Sequence, residues 1–156
     1  MADRDPQIQS RRDYPAYDAD YAAWLDAQVG ALREYRFDAL DLEHLIDEVC
    51  DLGISNYNAF VSAIEIVLVH MLKWDVQPGK RSPSWIASIV EHRRRIARAL
   101  KKNPSYKSRV AEAIEEAFDT ATAKAAAETN LPLDAFPDAN PYDWNAITGR
   151  EHQLPA

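Results

Sequence analysis

An all-α fold, a single bundle of about five helices with an extended, proline-containing C-terminal wrap, is predicted by three features of this 156-residue sequence. Apolar residues recur at i, i+3, i+4 and i+7 in successive stretches, the spacing that gathers them on one side of a helix. Glycine, which tight hairpin turns need, occurs only 4 times, whereas alanine, the residue least costly in a helix interior, is abundant. Prolines stand between the periodic stretches, at 78, 83 and 104, or beyond them, where a helix has to stop.

Residues 1–17, with Pro6, Pro15 and mixed charge, carry no apolar period and read as an N-terminal arm; 18–148 form the bundle domain and 149–156 a C-terminal tail. The first helix starts at Asp18 or Asp20, either of which can accept from unpaired first-turn amides. Tyr21, Trp24, Leu25, Gln28, Val29 and Leu32 then form its stripe, to about Arg36. A second helix follows Asp41 as N-cap and buries Leu42, Leu45, Ile46, Val49 and Leu52. Its other side is acidic, with Glu43, Asp47 and Asp51, and Gly53 ends it as a left-handed C′ residue.

The third helix, about 55–75, is the predicted centre, because between Ala59 and Leu72 only Ser62, Glu65 and His70 are polar. A helix apolar nearly all round is buried on several sides. Tyr57, Phe60, Ile64, Val67, Met71 and Trp74 have the spacing that bundle neighbours grip. A loop from Gln77 to Arg81 leads to Ser82-Pro83, an N-cap followed by proline where its missing amide costs nothing. The fourth helix runs to about Lys102, with Ile86, Ile89, Ile96 and Leu100 inward and Arg94, Arg98 and Lys101 toward water; Asn103-Pro104 breaks the chain. The fifth, about 105–129, buries Tyr106, Val110, Ile114, Ala117, Phe118 and Ala121 and closes on a left-handed Asn130. Beyond Leu131, prolines at 132, 137 and 141 forbid a long helix. Leu133, Phe136, Tyr142, Trp144 and Ile147 are nevertheless too apolar for a free tail, so the segment should wrap the bundle, with a short helix near 144–148.

A net charge of −7 argues against undirected attraction to nucleic acid or anionic lipid. The charge is uneven, for between Lys80 and Arg109 ten Lys and Arg stand against one acid, Glu91. No run of about 18 apolar residues is long enough for a bilayer, and the first residues lack the apolar segment of a secretory signal, so a cytoplasmic location without a membrane partner is expected. Cys50 is the single cysteine, which leaves no intrachain disulfide and no thiolate metal cluster. His44 and Glu48 lie four residues apart, but the paired Glu-x-x-His motifs of di-iron bundles do not occur; no metal and no cofactor is expected.

Several segments have a family look: Tyr21-Ala-Ala-Trp24; Leu40-Asp-Leu-Glu-His-Leu45 leading to Asp51-Leu-Gly53; His70-Met-Leu-Lys-Trp74 with Gln77-Pro78; Ser84-Trp85 and Glu91-His-Arg-Arg-Arg95; and Glu128-Thr-Asn-Leu-Pro132 through Phe136-Pro137 to Pro141-Tyr142. Through them the chain resembles the bacterial DUF29 family, helical proteins of unassigned function. The resemblance covers about residues 17–148. It implies a helical bundle and brings no activity with it.

The sharpest polar set is Glu48, His70 and Arg93, charges and a titratable ring set on or beside apolar stripes, where an unpaired ion is costly. They are expected to meet between helices two, three and four, as a satisfied core network or as a pocket with a general base and an anion-binding arginine. The leading functional reading is not enzymatic: a small helical interaction or scaffold protein that binds another protein through the basic face Arg94, Arg98 and Lys101 or through the aromatic C-terminal segment. One alternative is a ligand-binding or hydrolytic bundle built on Glu48, His70 and Arg93, which requires a shared cavity of a few hundred Å3. The other is a nucleic-acid-binding module using 80–109, with Trp85 and Tyr106 as aromatics. The alanine face of the fifth helix and the N-terminal arm leave self-association open.

Overall fold

The structure, a computed structural model, describes residues 15–154, so residues 1–14 of the expected arm and the last two of the tail lie outside the described residues. Within that range the regular structure is helical and no strand occurs, which makes the fold all-α as the periodicity predicts. The α-helices are α1 (Tyr21–Arg33), α2 (Leu42–Val76), α3 (Pro83–Lys102), α4 (Val110–Thr129) and α5 (Trp144–Gly149). Short 3-10 turns occupy Phe37–Ala39, Pro78–Lys80, Pro104–Arg109 and Leu133–Ala135. Contacts divide the chain into two compact units, Met1–Ile54 and Ser55–Ala156.

In the first unit, α1 starts because Asp20, in extended backbone, accepts from the Ala23 amide at 3.0 Å. It ends three residues before the expected Arg36. Tyr35 turns left-handed (φ 58°), the Arg36 amide reaches back to the Ala31 carbonyl at 2.9 Å and the Tyr35 amide to Leu32 at 3.3 Å. That pair of bonds is a Schellman closure, made here without glycine.

The expected break at Gly53 is absent: α2 is one helix of 35 residues. No glycine in the described chain has positive φ. Glycine permits a left-handed stop but does not demand one, and with helix-compatible residues on both sides it stays helical at a cost of about 1 kcal/mol. The expectation that no stretch could span a bilayer also needs correcting. An 18-residue window of α2 has mean hydropathy 1.5, apolar and long enough to cross a membrane, and half of that window is buried inside the protein.

In the second unit the predicted central rod is present. Phe60, Ile64, Val67, Leu68, Met71 and Leu72 of α2 are buried, and between 59 and 72 only Ala59 and Ser62 are exposed. Ile89 and Ile96 of α3 pack into this core, as do Phe118 and the alanines at 113, 117, 121, 125 and 126 of α4, and the alanines' short side chains let one helix approach another closely. Asn103-Pro104 winds as a 3-10 turn to Arg109, so α4 begins at Val110 rather than at the expected Ser105. It closes on Asn130 in the left-handed region (φ 57°), as predicted. The C-terminal segment returns Phe136, Tyr142 and Ile147 to the core, and Asp143 caps α5 by accepting from the Ala146 amide at 2.7 Å.

Candidate functional site

Most of the exposed large hydrophobic residues lie in one stretch of the chain. Among the described residues thirteen large hydrophobic side chains are exposed, and ten of them lie between Tyr21 and Ile54. These include Leu42 at 60%, Ile46 at 61% and Val49 at 67%, which sequence periodicity had assigned to a buried stripe, and Leu25 and Leu32 of α1.

The hairpin explains why they are out. Tyr21 donates its hydroxyl to Glu48 at 2.8 Å, Trp24 donates Nε1 to Asp41 at 3.3 Å, and the Asp41 amide donates to Gln28 Oε1 at 2.8 Å. Partners that rise along α1 and fall along α2 mean that the two helices run antiparallel. The seam between them is therefore Trp24, Gln28 and Ala31 on α1, facing Asp41, His44 and Glu48 on α2; Trp24, Gln28, Ala31 and Asp41 are all buried. Tyr17 folds over its end, stacking on His44 with ring centres 4.3 Å apart and donating its hydroxyl to Glu48. Two hydroxyl donors hold the Glu48 carboxyl below the usual range, Tyr17 more than Tyr21, and the same bonds push both phenols up. Asp41 also accepts from His44 Nδ1 at 2.9 Å when that nitrogen carries the proton.

On α1 each seam residue is followed at once by an apolar one: Trp24-Leu25, Gln28-Val29, Ala31-Leu32. On the other limb of the hairpin the same holds for Asp41-Leu42 and Glu48-Val49, and Ile46, four residues after Leu42 and three before Val49, continues that stripe. One residue is a rotation of about 100° about a helix axis. A twofold axis perpendicular to the plane of an antiparallel pair exchanges the helices without changing sides, so equal offsets from the seam put both stripes on one side of the hairpin. Asp26, Glu43, Asp47 and Asp51 fall outside that apolar arc, away from its centre line. Cys50 is an exposed free thiol.

Glu48, His70 and Arg93 are not gathered into one hydrogen-bonded set; their partners do not overlap. Glu48 serves the two tyrosines. Arg93 is a staple: Nε donates to the Ile147 carbonyl at 2.6 Å, Nη1 to Arg150 at 2.8 Å and Nη2 to Ala146 at 2.9 Å, covering the C-terminal carbonyls of α5. Burial, and Arg150 nearby, lower its pKa. His70 lies beside Trp85, with Nδ1 buried and meeting no hydrogen-bonding group among the described residues. Burial first, and then the Lys73 ammonium, bring its pKa down to about 4.

A cavity of about 360 Å3 opens between α3 and the C-terminal segment, lined by Ile86, Ile89, Val90, Arg93 and residues 149–153; neither Glu48 nor His70 lines it. The basic face is solvent-facing, with Arg94, Arg98 and Lys101 exposed. Arg95 and Arg98 share Glu91 at 3.0 and 3.6 Å. Behind them a groove of about 300 Å3 is lined by Arg95, Arg98, Lys102, Asn56, Asn103 and Phe60. The aromatic C-terminal segment packs inward, leaving Leu133 and Leu154 as its exposed large side chains among the described residues. Among those residues no group of three or more His, Cys, Asp or Glu is placed to hold a metal ion.

One polar pair inside the second unit escaped sequence reading. Lys73, buried in the rod, donates to Glu128 at 2.5 Å and lies 4.6 Å from the Trp85 ring centre. Arg81 stacks on Trp74 at 4.9 Å, and Gln77 donates to the Thr129 carbonyl at 3.3 Å. The family-like segments around His70, Gln77, Trp85 and Glu128 thus converge in space, a signal that was visible in their co-occurrence but not in any periodicity.

The family model described as a domain of unknown function, DUF29, matches residues 16–152, nearly the whole chain. No curated protein and no solved structure matches it.

Proposed function

The chain belongs to the DUF29 family, and from that premise we propose that it is a helical interaction protein of the bacterial cytoplasm that binds another protein chain through the apolar side of the α1/α2 hairpin. The observation that supports this reading is the concentration of ten of the thirteen exposed large hydrophobic residues within 21–54. Scattered exposed apolar residues are ordinary, but a contiguous patch of several hundred Å2 marks a contact surface. The exposed thiol of Cys50 is compatible with a reducing compartment.

The test uses the chain isolated from its own cells under gentle conditions. It is expected to run as an assembly, and an Ile46→Asp, Val49→Asp variant to run as the free chain with unchanged helix content. A native chain that already runs alone overturns the reading.

A second reading, favoured by the groove among Arg95, Arg98 and Lys102, has the α3 face receive a nucleic-acid backbone. Retention on immobilised DNA or RNA that falls steeply with salt supports it, and flow-through at low salt removes it. The pocket reading of Glu48, His70 and Arg93 needs a cavity lined by all three, whereas the 360 Å3 cavity takes Arg93 alone of them.

A further inference from the structure

A two-helix hairpin with one buried seam and a second apolar stripe on each helix is half of a four-helix layer. The α1/α2 hairpin fits that description: Leu25, Val29 and Leu32 beside Leu42, Ile46 and Val49, all on one side. Three kinds of cover are conceivable: the chain's own residues 1–14, a charged partner segment, or another hairpin of the same kind.

Residues 1–14 carry Met1, Ile8 and Tyr14 as their large apolar side chains, half as many as the six of the stripe they would have to seal. A cationic partner would be drawn to the acids, and the described first unit holds ten of them in residues 15–54 against Arg33 and Arg36. Those at 26, 43, 47 and 51, however, lie off the apolar arc, so charge attraction would lead such a partner away from the stripe. An uncharged surface with acids turned outward is what face-to-face stacking of identical hairpins requires, because the acids then remain in water on the outside of the bundle.

We propose that a second copy of this chain covers the apolar side of the hairpin, two hairpins stacking about a twofold axis into a four-helix bundle. The inference rests on the interaction reading above and names its partner. Half-exposed side chains of this number offer on the order of 400 Å2 of apolar surface per copy. With the usual polar share that becomes an interface of roughly 1,200 Å2 over both copies, at the lower edge of stable dimers. The dimer is therefore concentration-dependent, and isologous symmetry stops it at two.

The experiment is sedimentation equilibrium of the purified full chain from micromolar to hundreds of micromolar, alone and with substitutions. The expected result is a monomer–dimer equilibrium that Leu32→Asp or Ile46→Asp weakens by roughly tenfold or more, with helix content by circular dichroism retained. Asp47→Lys, on the other side, leaves the dimer in place. Should either aspartate variant lose helix content, Ile46→Ala supplies the same comparison at smaller effect. A monomer at every concentration, a dimer indifferent to these stripe substitutions, or growth beyond two copies overturns the proposal. If the purified chain is monomeric while the native assembly still depends on Ile46 and Val49, the second copy is the wrong partner and the interaction reading stands; if both run alone, both fall.

Discussion

At the scale of single residues, the polar side chains of the second unit act as staples, and their removal can be measured. Arg93 spreads one guanidinium over three carbonyls at the end of α5. Its planar fork reaches all three, which a lysine ammonium does not. Arg93→Met is expected to destabilise by roughly 2 kcal/mol in urea unfolding, and Arg93→Lys to recover less than half of that. If Arg93→Lys matches the parent, the fork geometry is not what matters. His70 gives a pH prediction. Its ring is kept neutral by burial and by Lys73, with Glu128 acting in the opposite sense and His92 adding a smaller push downward, so that its pKa falls to about 4 from an ordinary 6.5. The unfolded chain therefore takes up this proton before the folded one. The contribution is complete above pH 6.5 and is lost as pH falls toward 4. After allowance for a ring that is only half-buried, the loss is about 1–2 kcal/mol. The measurement is the difference in stability between parent and His70→Gln at pH 7 and pH 4.5, which cancels the carboxylates common to both. A difference that does not change with pH removes the neutral-ring account.

At the scale of elements, Gly53 is the decisive position. It sits inside α2, exposed, and an added Cβ would meet nothing within 4 Å. Gly53→Ala is therefore expected to stabilise the chain by about 0.5–1 kcal/mol. A destabilised variant would mean that the helix does stop there. Helix ends marked by their own chemistry were legible in sequence: Asp20 as a cap, Pro83 at a first turn, Asn130 as a left-handed close. The central run from Phe60 to Leu72 was legible too, because no other arrangement hides it. The length of α2 was hidden by Gly53, which reads as a stop and is helical. Periodicity reports that a stripe exists and is silent on whether a neighbour covers it, so Leu42, Ile46 and Val49 read as buried. The partners of Arg93 are backbone carbonyls, which no side-chain pattern announces.

For the molecule as a whole, stability should be graded along α2, because the same helix runs through surroundings of very different burial. From Phe60 to Leu72 its side chains are closed in by α3, α4 and the returning C-terminal segment. From Leu42 to Ile54 it is accompanied by α1 through a seam whose buried groups include Gln28 and Asp41, and much of its apolar surface meets water. Opening costs follow buried apolar contact, so amides from Leu42 to Ile54 exchange through local unfolding and those from Phe60 to Leu72 only through global unfolding. Hydrogen exchange of the dilute chain is expected to show protection at 60–72 matching the urea-derived global free energy, and protection at 42–52 lower by about 2 kcal/mol or more. Raising the concentration should close part of that gap selectively at 21–33 and 42–52, since covering the hairpin's apolar side adds burial there and nowhere in 60–72. Equal protection along α2 at low concentration would show that the hairpin needs no cover, and the case for a docking surface would lose its thermodynamic ground.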